Sequence, residues 1–357
     1  MSDMQADQTA PVVEVSKVWK IFGANADIAM KAVKEEGIGK AEVLERYGAV
    51  VGVADVSLSV NRGEIFCVMG LSGSGKSTLV RHFNRLLDPT SGTISIEGTD
   101  VTSLAPAPLR EFRNRKIGMV FQNFALLPHR SVLDNVAMPL EIRQLNKNDR
   151  MRRAREILDI VDLGAWGNKF AHELSGGMQQ RVGLARALAA DPDVLLMDEP
   201  FSALDPLIRR QLQDEFIRLS KILKKTTIFI THDLDEAVRV GDRIAIMRDG
   251  RVVQIGTAEE VVMNPADDYV AEFVAGISRL KVVRAHAVMR PVAQHEAEVG
   301  PVPADAPQVA ESEALSKIIH MAIADDAPIV VMDEGQSVGI ITRRDILQVV
   351  IDGTEVS

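Results

Sequence analysis

The sequence predicts an α/β fold built around a largely parallel sheet. Short apolar runs of strand length alternate with amphipathic, helix-like segments from residue 12 to residue 274. The chain has 357 residues, of which 46% are hydrophobic and 25% are charged, so it can bury a core large enough for two domains. The predicted strands lie at 12–15, 65–69, 117–121, 194–197, 227–231 and 243–247.

Composition and charge exclude several classes of protein. The net charge of −9 counts against a nucleic-acid partner. The longest run without a charged residue, 117–129, is 13 residues long and too short to cross a bilayer as a helix. The polar N-terminus, residues 1–11, lacks the pattern of a signal peptide and is predicted to be disordered. A single cysteine, Cys67, rules out a disulfide framework or a cysteine-cluster metal site.

Polar and helical segments divide the chain between the predicted strands. A helical insert is predicted at 24–46, and its Lys-, Glu- and Ala-rich part, 29–46, is expected to be solvated. Further helices are predicted at 152–161 and 177–190. The proline-rich stretch 291–308 is predicted to be a linker or an exposed loop.

A phosphate-binding loop is predicted between the apolar run 65–69 and the helix that starts near Leu79. The segment 70–78 fits the pattern G-x-x-x-x-G-K-[ST]. Glycines let successive backbone N–H groups point at phosphate oxygens, Lys76 can reach the outer phosphates, and Ser77 offers a hydroxyl to Mg²⁺. The predicted nucleotide-binding residues of this loop are Gly70, Leu71, Ser72, Gly73, Ser74, Gly75, Lys76, Ser77 and Thr78.

Polar side chains follow three other predicted strands. The strand at 194–197 leads into Asp198, a candidate Mg²⁺ ligand, and Glu199, which can orient or deprotonate an attacking water. His232 follows the strand at 227–231 and could hydrogen-bond the γ-phosphate or that water. Gln122 follows the strand at 117–121, where an amide can contact both the metal shell and a moving loop. Lys76, Gln122, Glu199 and His232 are therefore the candidate catalytic residues.

Six motifs together resemble those of the ATP-binding-cassette ATPases over about residues 12–276. Residues 174–180, LSGGMQQ, resemble the signature loop, and residues 202–205, SALD, resemble the D-loop. Gln122 resembles the Q-loop glutamine, Asp198 and Glu199 the Walker B pair, and His232 the switch histidine. The resemblance implies a RecA-like core, a β-subdomain and a helical subdomain at about 124–182. It also implies ATP and Mg²⁺ as cofactors.

The same resemblance assigns binding residues outside the phosphate loop. Tyr47 lies 29 residues before Lys76, a spacing similar to that of the aromatic residue that stacks on adenine. In the family the signature loop contacts the γ-phosphate held by a partner subunit, which implies a homodimer with two ATP sites. The residues implied to bind nucleotide in this way are Tyr47, Ser175, Gly176, Gly177, Gln179 and Asp205, with Gln122, Ser77 and Asp198 at the metal.

A narrower resemblance points to the importers of quaternary amines. The insert, the segment 124–130 and the segment 202–209 are similar to those of the subunits that power uptake of glycine betaine, choline or proline betaine. This implies ATP-driven closure of the dimer and reopening after hydrolysis. The implied partners are a membrane permease and, indirectly, a periplasmic or extracellular substrate-binding protein. The implied location is peripheral, on the cytoplasmic face of the plasma membrane.

The segment 277–357 resembles a single CBS module, a small βαββα unit that usually works in pairs. Helices are predicted at 313–324 and 344–350, and strands at 329–332 and 338–342. The segment is either a regulatory module completed by a second chain or a degenerate tail that packs on the ATPase.

Three rival functions remain open at this stage. The chain could serve an importer of a different small molecule, or act as a non-transport cassette ATPase on ribosomes or DNA. The latter proteins usually carry two cassettes or a long coiled-coil insert with a basic surface, whereas this chain has one cassette and is acidic. A P-loop small-molecule kinase would leave the signature loop and the D-loop unexplained.

Overall fold

A computed structural model describes residues 10–303, 305–333 and 335–352. Residues 1–9 of the predicted disordered N-terminus lie outside these ranges. The chain divides into two compact units, Met1–Ile255 and Gly256–Ser357. No helix within the described ranges is long and apolar enough to span a bilayer.

The first unit contains two sheets and the helices around them. Its strands are β1 Val13–Phe22, β2 Val50–Val60, β3 Ile65–Met69, β4 Ser91–Ile96, β5 Thr99–Asp100, β6 Ile117–Val120, β7 Val194–Asp198, β8 Thr226–Ile230, β9 Arg243–Arg248 and β10 Arg251–Gly256. Its helices are α1 Ala26–Glu36, α2 Lys40–Tyr47, α3 Lys76–Phe83, α4 Pro106–Lys116, α5 Val132–Ile142, α6 Lys147–Ile160, α7 Gly176–Ala189, α8 Pro206–Leu223 and α9 Leu234–Val240.

The larger sheet has six strands in the order β10-β9-β3-β8-β7-β6. β3 pairs in parallel with β8 and β9, and β7 pairs in parallel with β6 and β8. Every residue of β3 and β8 is buried, which explains why these strands read as continuous apolar runs. Because parallel strands end at one edge of a sheet, the segments that follow β3, β8 and β7 lie side by side.

The smaller sheet is antiparallel, with the order β2-β1-β4-β5. The apolar run 12–15 therefore begins a strand of this sheet and does not belong to the parallel sheet. The main core lies where β1, β2 and β4 pack with β3, β7, β8, β9 and α3. These two sheets are the RecA-like core and the β-subdomain that the sequence predicts.

The insert between β1 and β2 differs from its prediction. It forms two helices, α1 and α2, each ended by a glycine in the left-handed region, Gly37 and Gly48. Met30, Val43 and their apolar neighbours pack against β1 and β2 and form a second small core. The insert is thus not solvated throughout, because apolar residues at helical spacing bury one face of each helix.

Three helices form the helical subdomain of the first unit. α5, α6 and α7 pack against one another, with Val136, Leu140, Ile157 and Leu158 among their buried residues. The helices predicted at 152–161 and 177–190 correspond to α6 and α7. Ser131 and Asn146 cap α5 and α6 by accepting hydrogen bonds from the backbone N–H groups of Asp134 and Asp149.

The second unit is a small α+β unit preceded by short helices. Its helices are α10 Ala258–Met263, α11 Asp268–Val274, α12 Arg279–Val282, α13 Ala285–Val288, α14 Val292–Glu298, α15 Leu315–Ala324 and α16 Arg343–Asp352. Its strands are β11 Gln308–Ala310, β12 Ile329–Asp333 and β13 Gln336–Ile341. It begins before the predicted domain boundary at 276–277 because α10 packs on α12, and Glu259 accepts a hydrogen bond from the Arg284 backbone N–H.

The order β11-α15-β12-β13-α16 is the one expected of a βαββα unit. β12 pairs in parallel with β11 and antiparallel with β13. The proline-rich stretch 291–308, predicted as a loop, contains α14, on which His295 is buried. Pro291 lies just before α14, where the fixed backbone angle of proline favours a helix start. The assignment of this unit as a CBS module stays a prediction.

Candidate nucleotide-binding and catalytic site

The phosphate loop joins β3 to α3, as the sequence predicts. Gly70 and Gly75 adopt φ angles of +148° and +103°, which side chains disfavour. A Cβ atom at Gly75 would lie 2.4 Å from the carbonyl oxygen of Gly52, and one at Gly70 would lie 2.2 Å from that of Met247. Only glycine fits at these two positions, so the loop stays close to β2 and β9 while its N–H groups remain available to an anion.

Lys76 occupies the first turn of α3 and is 5% exposed. Its ammonium group donates hydrogen bonds to the carbonyl oxygens of Gly70, at 2.7 Å, and Leu71, at 3.0 Å. Burial lowers the pKa of Lys76, while the nearby carboxylates of Glu199 and Asp198 oppose that change. A partly desolvated cation therefore lies inside the glycine loop at the N-terminus of α3, an arrangement that favours phosphate.

Ser77 and Asp198 bring two oxygen ligands together across the sheet edge. The Ser77 hydroxyl donates to the Asp198 carboxylate at 3.2 Å. Burial raises the pKa of Asp198, and the hydrogen bond from Ser77 works against that rise. A hydroxyl beside a partly desolvated carboxylate suits a hard divalent cation, so the donor set fits Mg²⁺.

Glu199 and His232 face each other at the ends of β7 and β8. The Nδ1 atom of His232 lies 3.0 Å from Oε2 of Glu199. Glu199 has a φ of +46°, a left-handed conformation that is unusual for a residue other than glycine. Its backbone N–H donates to the carbonyl oxygen of Ile230 at 3.0 Å, which ties it to β8. A carboxylate suited to general-base catalysis and its hydrogen-bond partner thus lie together beside the phosphate loop.

A cleft of ≈ 590 Å³ lies at this edge of the sheet. Most of the phosphate loop, together with Glu199 and His232, forms one part of its wall, whereas Gly70, Ser74 and Asp198 are not among the lining residues. The rest comes from β1, β2 and the insert, and adds Phe22, Lys40, Val50, Val51 and Gly52.

The aromatic residue of the cleft is Phe22, a residue that the sequence analysis did not single out. Phe22 ends β1 and is 38% exposed. Tyr47 is not among the residues that line the cleft, and its hydroxyl accepts a hydrogen bond from Arg46 at 3.3 Å. The spacing to Lys76 favoured Tyr47, at the end of the insert, whereas the structure places Phe22, which precedes the insert, in the cleft.

The structure does not bring every predicted residue into the cleft. Gln122 lies in the exposed segment after β6 and is not among the cleft-lining residues. The signature loop lies elsewhere: Ser175 caps α7 by accepting a hydrogen bond from the Met178 backbone N–H, and Gln179 donates to the Leu174 carbonyl at 3.2 Å. Gly176, Gly177 and Asp205 likewise lie outside the cleft lining, at the starts of α7 and α8.

Taken together, the fold and the cleft define a P-loop nucleoside-triphosphate-binding protein. The parallel sheet carries the glycine loop, a buried lysine, an oxygen pair suited to Mg²⁺ and a glutamate–histidine pair at one edge. The antiparallel sheet and the helical subdomain are additions to that core.

Comparison with known proteins narrows this class. Residues 53–202 match the family described as ABC transporter. The glycine betaine/proline betaine transport system ATP-binding protein ProV of Escherichia coli strain K12 is 51% identical over 278 residues, 78% of this chain and 69% of that protein. The trimethylamine N-oxide transport system ATP-binding protein TmoW of Ruegeria pomeroyi is 46% identical over 344 residues, 96% of this chain and 98% of that protein.

A solved structure agrees with the sequence relatives. The dimeric post-hydrolysis state of the ATP-binding cassette MJ0796 bound to ADP and Pi matches with a TM-score of 0.58 and 32% identity, covering 69% of this chain and 98% of that one. The chain belongs to the ATP-binding subunits of the ABC transporter family and is an ATPase of that family. The predicted fold class of the ATPase part is confirmed.

Proposed function

We propose that this chain hydrolyses ATP to power the uptake of a small methylated amine through a membrane permease. The observation that carries the proposal is the 46% identity to TmoW, which extends over 96% of the chain and so includes both units. ProV, whose name gives glycine betaine and proline betaine, supports the same substrate class at 51% identity. The substrates to test are therefore glycine betaine, proline betaine, choline and trimethylamine N-oxide.

The cleft supports a division of roles among its residues. The phosphate loop and Lys76 hold the phosphates of ATP, and Glu199 orients or deprotonates the attacking water, an effect of about 10²–10⁴-fold. His232 holds the Glu199 carboxylate and can reach the γ-phosphate or the water. Ser77 and Asp198, together with Gln122 once its loop approaches, would hold Mg²⁺, which would neutralise charge on the β- and γ-phosphates.

The position of the signature loop supports a homodimer. Ser175, Gly176 and Gly177 present a helix N-terminus that favours an anion, yet they lie outside the cleft of their own chain. A second copy can supply this surface to each γ-phosphate, with Asp205 and Gln179 beside it, which gives two equivalent composite sites. Moving the pair from mostly open to mostly closed takes about 5.5 kcal/mol. Two γ-phosphates can supply this through about 3 kcal/mol of charge-assisted hydrogen bonds each.

The permease contact is proposed at a groove beside the Gln122 loop. This groove of ≈ 280 Å³ is lined by β6 and by residues of α4, α5 and α7, including Phe121, Met138 and Ile142. Arg186 of α7 donates to the carbonyl oxygens of Phe124, at 2.9 Å, and Ala125, at 2.5 Å. A movement of the Gln122 loop would therefore shift the wall of the groove. The proposal therefore includes a peripheral position at the cytoplasmic face of the membrane, a substrate-binding protein as an indirect partner, and no nucleic-acid partner.

The dimer mechanism is tested with Glu199→Gln. The variant should bind ATP, lose turnover by about 10²-fold or more, and accumulate as a dimer in saturating Mg-ATP, because the bound γ-phosphate is no longer removed. Light scattering after size-exclusion chromatography measures the mass, and the same variant with ADP is the matched control. Near-normal turnover would contradict the proposed role of Glu199 in hydrolysis. A variant that stays monomeric in saturating Mg-ATP would contradict the proposed dimer.

Substrate class is tested by uptake. The tagged chain is purified with the membrane protein and the substrate-binding protein that accompany it, the complex is reconstituted in liposomes, and uptake of labelled glycine betaine, proline betaine, choline and trimethylamine N-oxide is compared. We expect ATP-dependent uptake of at least one of them, lost with Glu199→Gln. Co-purification with ribosomes or DNA, or uptake of none of these compounds by an active complex, would contradict the proposal.

A further inference from the structure

Arg209 connects two loops that the proposed mechanism uses separately. It lies in the first turn of α8, and its side chain is 27% exposed. Nη2 donates to the carbonyl oxygens of Ser202, at 3.3 Å, and Leu204, at 3.2 Å, while Nη1 donates to Oδ2 of Asp233 at 3.3 Å. One guanidinium group therefore joins the D-loop after β7 to the segment after β8.

Each of these loops is connected to one member of the glutamate–histidine pair. The D-loop is hydrogen-bonded to Glu199, and the segment after β8 carries His232. The hydroxyl and the backbone N–H of Ser202 donate to the carbonyl oxygen of Glu199 at 3.0 and 3.3 Å. Asp233 is the residue after His232, whose Nδ1 lies 3.0 Å from Glu199. The contacts close a ring that runs Glu199, Ser202, Arg209, Asp233, His232 and back to Glu199.

The ring matters because the conformation of Glu199 needs support. Its φ of +46° costs roughly 1–2 kcal/mol for a residue with a side chain, and such a conformation persists only where neighbouring groups enforce it. A carboxylate that orients water must also hold its position closely, since a displacement of about 1 Å can cost about 10²-fold in rate.

Neither Asp233 nor α8 depends on Arg209 for its place in the fold. The Oδ1 atom of Asp233 caps α9 by accepting from the Glu236 backbone N–H at 3.1 Å, and its own N–H donates to Thr231. One turn along α8, Gln213 donates to Oε1 of Glu236 at 2.9 Å within the buried interface between α8 and α9. Removing the Arg209 side chain should therefore leave the helices packed and break only the link between the loops.

We propose that Arg209 is a positioning residue. It keeps the Glu199 and His232 side chains in contact by linking the D-loop to the segment that carries His232. This inference rests on the proposed roles of Glu199 and His232. Ser202, Leu204 and Asp233, to which Arg209 donates, are not among the residues described as lining the cleft, so its proposed effect passes through the ring and not through nucleotide.

The test compares Arg209→Ala and Arg209→Lys with Arg210→Ala, which removes the same charge from the neighbouring exposed position. For Arg209→Ala we expect kcat to fall by about 10-fold or more while KM for ATP changes by less than about 3-fold. Arg209→Lys should recover only part of kcat, because one ammonium group cannot bridge both loops as the planar guanidinium does. Arg210→Ala should match the wild type. Wild-type kcat in Arg209→Ala would overturn the proposal.

A double-mutant cycle separates positioning from a general structural effect. If Arg209 acts through the pair, Arg209→Ala should lower kcat far less in a His232→Ala background than in the wild type. Equal reductions in both backgrounds would overturn the proposal, as would a kcat loss that simply follows a fall in Tm. Glu199→Gln run in the same assay keeps the two proposals distinguishable. Normal turnover in Glu199→Gln would contradict the proposed function, on which the Arg209 proposal rests. Slow turnover in Glu199→Gln together with normal turnover in Arg209→Ala would contradict the Arg209 proposal only.

Discussion

The edge of the parallel sheet and the N-terminus of α7 are both proposed to contact phosphate, but only the sheet edge has its other proposed site residues beside it in the same chain. At the sheet edge, Lys76, Ser77, Asp198, Glu199 and His232 lie within one cleft or directly beside it. At α7, Ser175 and the two glycines that follow it form a capped helix start with no acidic residue in its first turn.

In the proposed dimer, this difference means that each chain contributes parts of two different sites. The sheet edge supplies the proposed base, metal ligands and cation, and α7 supplies an anion-binding surface that lies outside the cleft of its own chain. The two regions should therefore respond differently to mutation. Loss of the phosphate-binding Lys76 at the sheet edge should weaken nucleotide binding, whereas damage at α7 should spare binding and stop turnover.

Lys76→Ala should give the largest effect. Removing the buried ammonium group takes away the cation nearest the phosphates, so we expect hydrolysis to fall by about 10²–10³-fold and ATP affinity to fall with it. Calorimetric titration with ATP measures the affinity, and phosphate release measures turnover. Unchanged ATP affinity in Lys76→Ala would contradict the expectation that the sheet edge is needed for nucleotide binding.

Ser175→Arg should lose turnover to a similar extent while its ATP affinity stays within about 3-fold of the wild type, because the bulky cation blocks only the surface offered to a partner. Mixing this variant with Lys76→Ala sharpens the comparison. Each mixed dimer should hold one intact composite site, so an equal mixture should recover up to about a quarter of wild-type activity.

The mixture has two informative controls. Each variant alone should stay inactive at the same total concentration, and Ser175→Ala, which removes the cap without adding bulk, should be milder than Ser175→Arg. A mixture no more active than its components would contradict the proposal that the signature loop of one chain completes the nucleotide site of the other.

Phe22→Ala should have the smallest effect of the three. An aromatic ring that stacks on a base contributes about 1–3 kcal/mol, so KM for ATP should rise by roughly 5- to 150-fold with little change in kcat. Tyr47→Ala is the matched variant, since the two aromatic residues flank the same insert.

We expect Tyr47→Ala to leave KM within about 2-fold, because Phe22 and not Tyr47 lines the cleft. The opposite result, a large effect of Tyr47→Ala and none of Phe22→Ala, would contradict this expectation. It would support the prediction from the sequence that adenine stacks on Tyr47.

Much of the fold was predictable because buried parallel strands leave a plain signal. The runs at 65–69 and 194–197 coincide with β3 and β7, since strands covered on both faces are apolar throughout. The strands β2, β4 and β10 gave no such run, because one face of each is partly exposed. The buried face of the insert was missed for a similar reason, as its few apolar residues are spread among Lys and Glu.

The site was predictable where chemistry is local and unpredictable where it depends on packing. The order of residues fixes Lys76 and Ser77 at a helix start, so their placement followed from the pattern alone. Phe22 carried no sequence signal beyond its place before the insert, and whether it or Tyr47 faces the cleft depends on how α1 and α2 fold onto β1 and β2. The link through Arg209 joins residues 24 positions apart and required the tertiary structure.

The close approach of Gly75 to Gly52 extends the requirements of the phosphate loop beyond its motif. A Cβ at Gly250 would also lie 3.0 Å from the Gly52 carbonyl oxygen, so three backbone segments meet there without intervening side chains. Selection for ATP turnover should consequently purge substitutions at Gly52 and Gly250 as strictly as those inside the motif. In a deep mutational scan these two glycines would score as nucleotide-site positions, although neither lies within the phosphate-loop motif at 70–78.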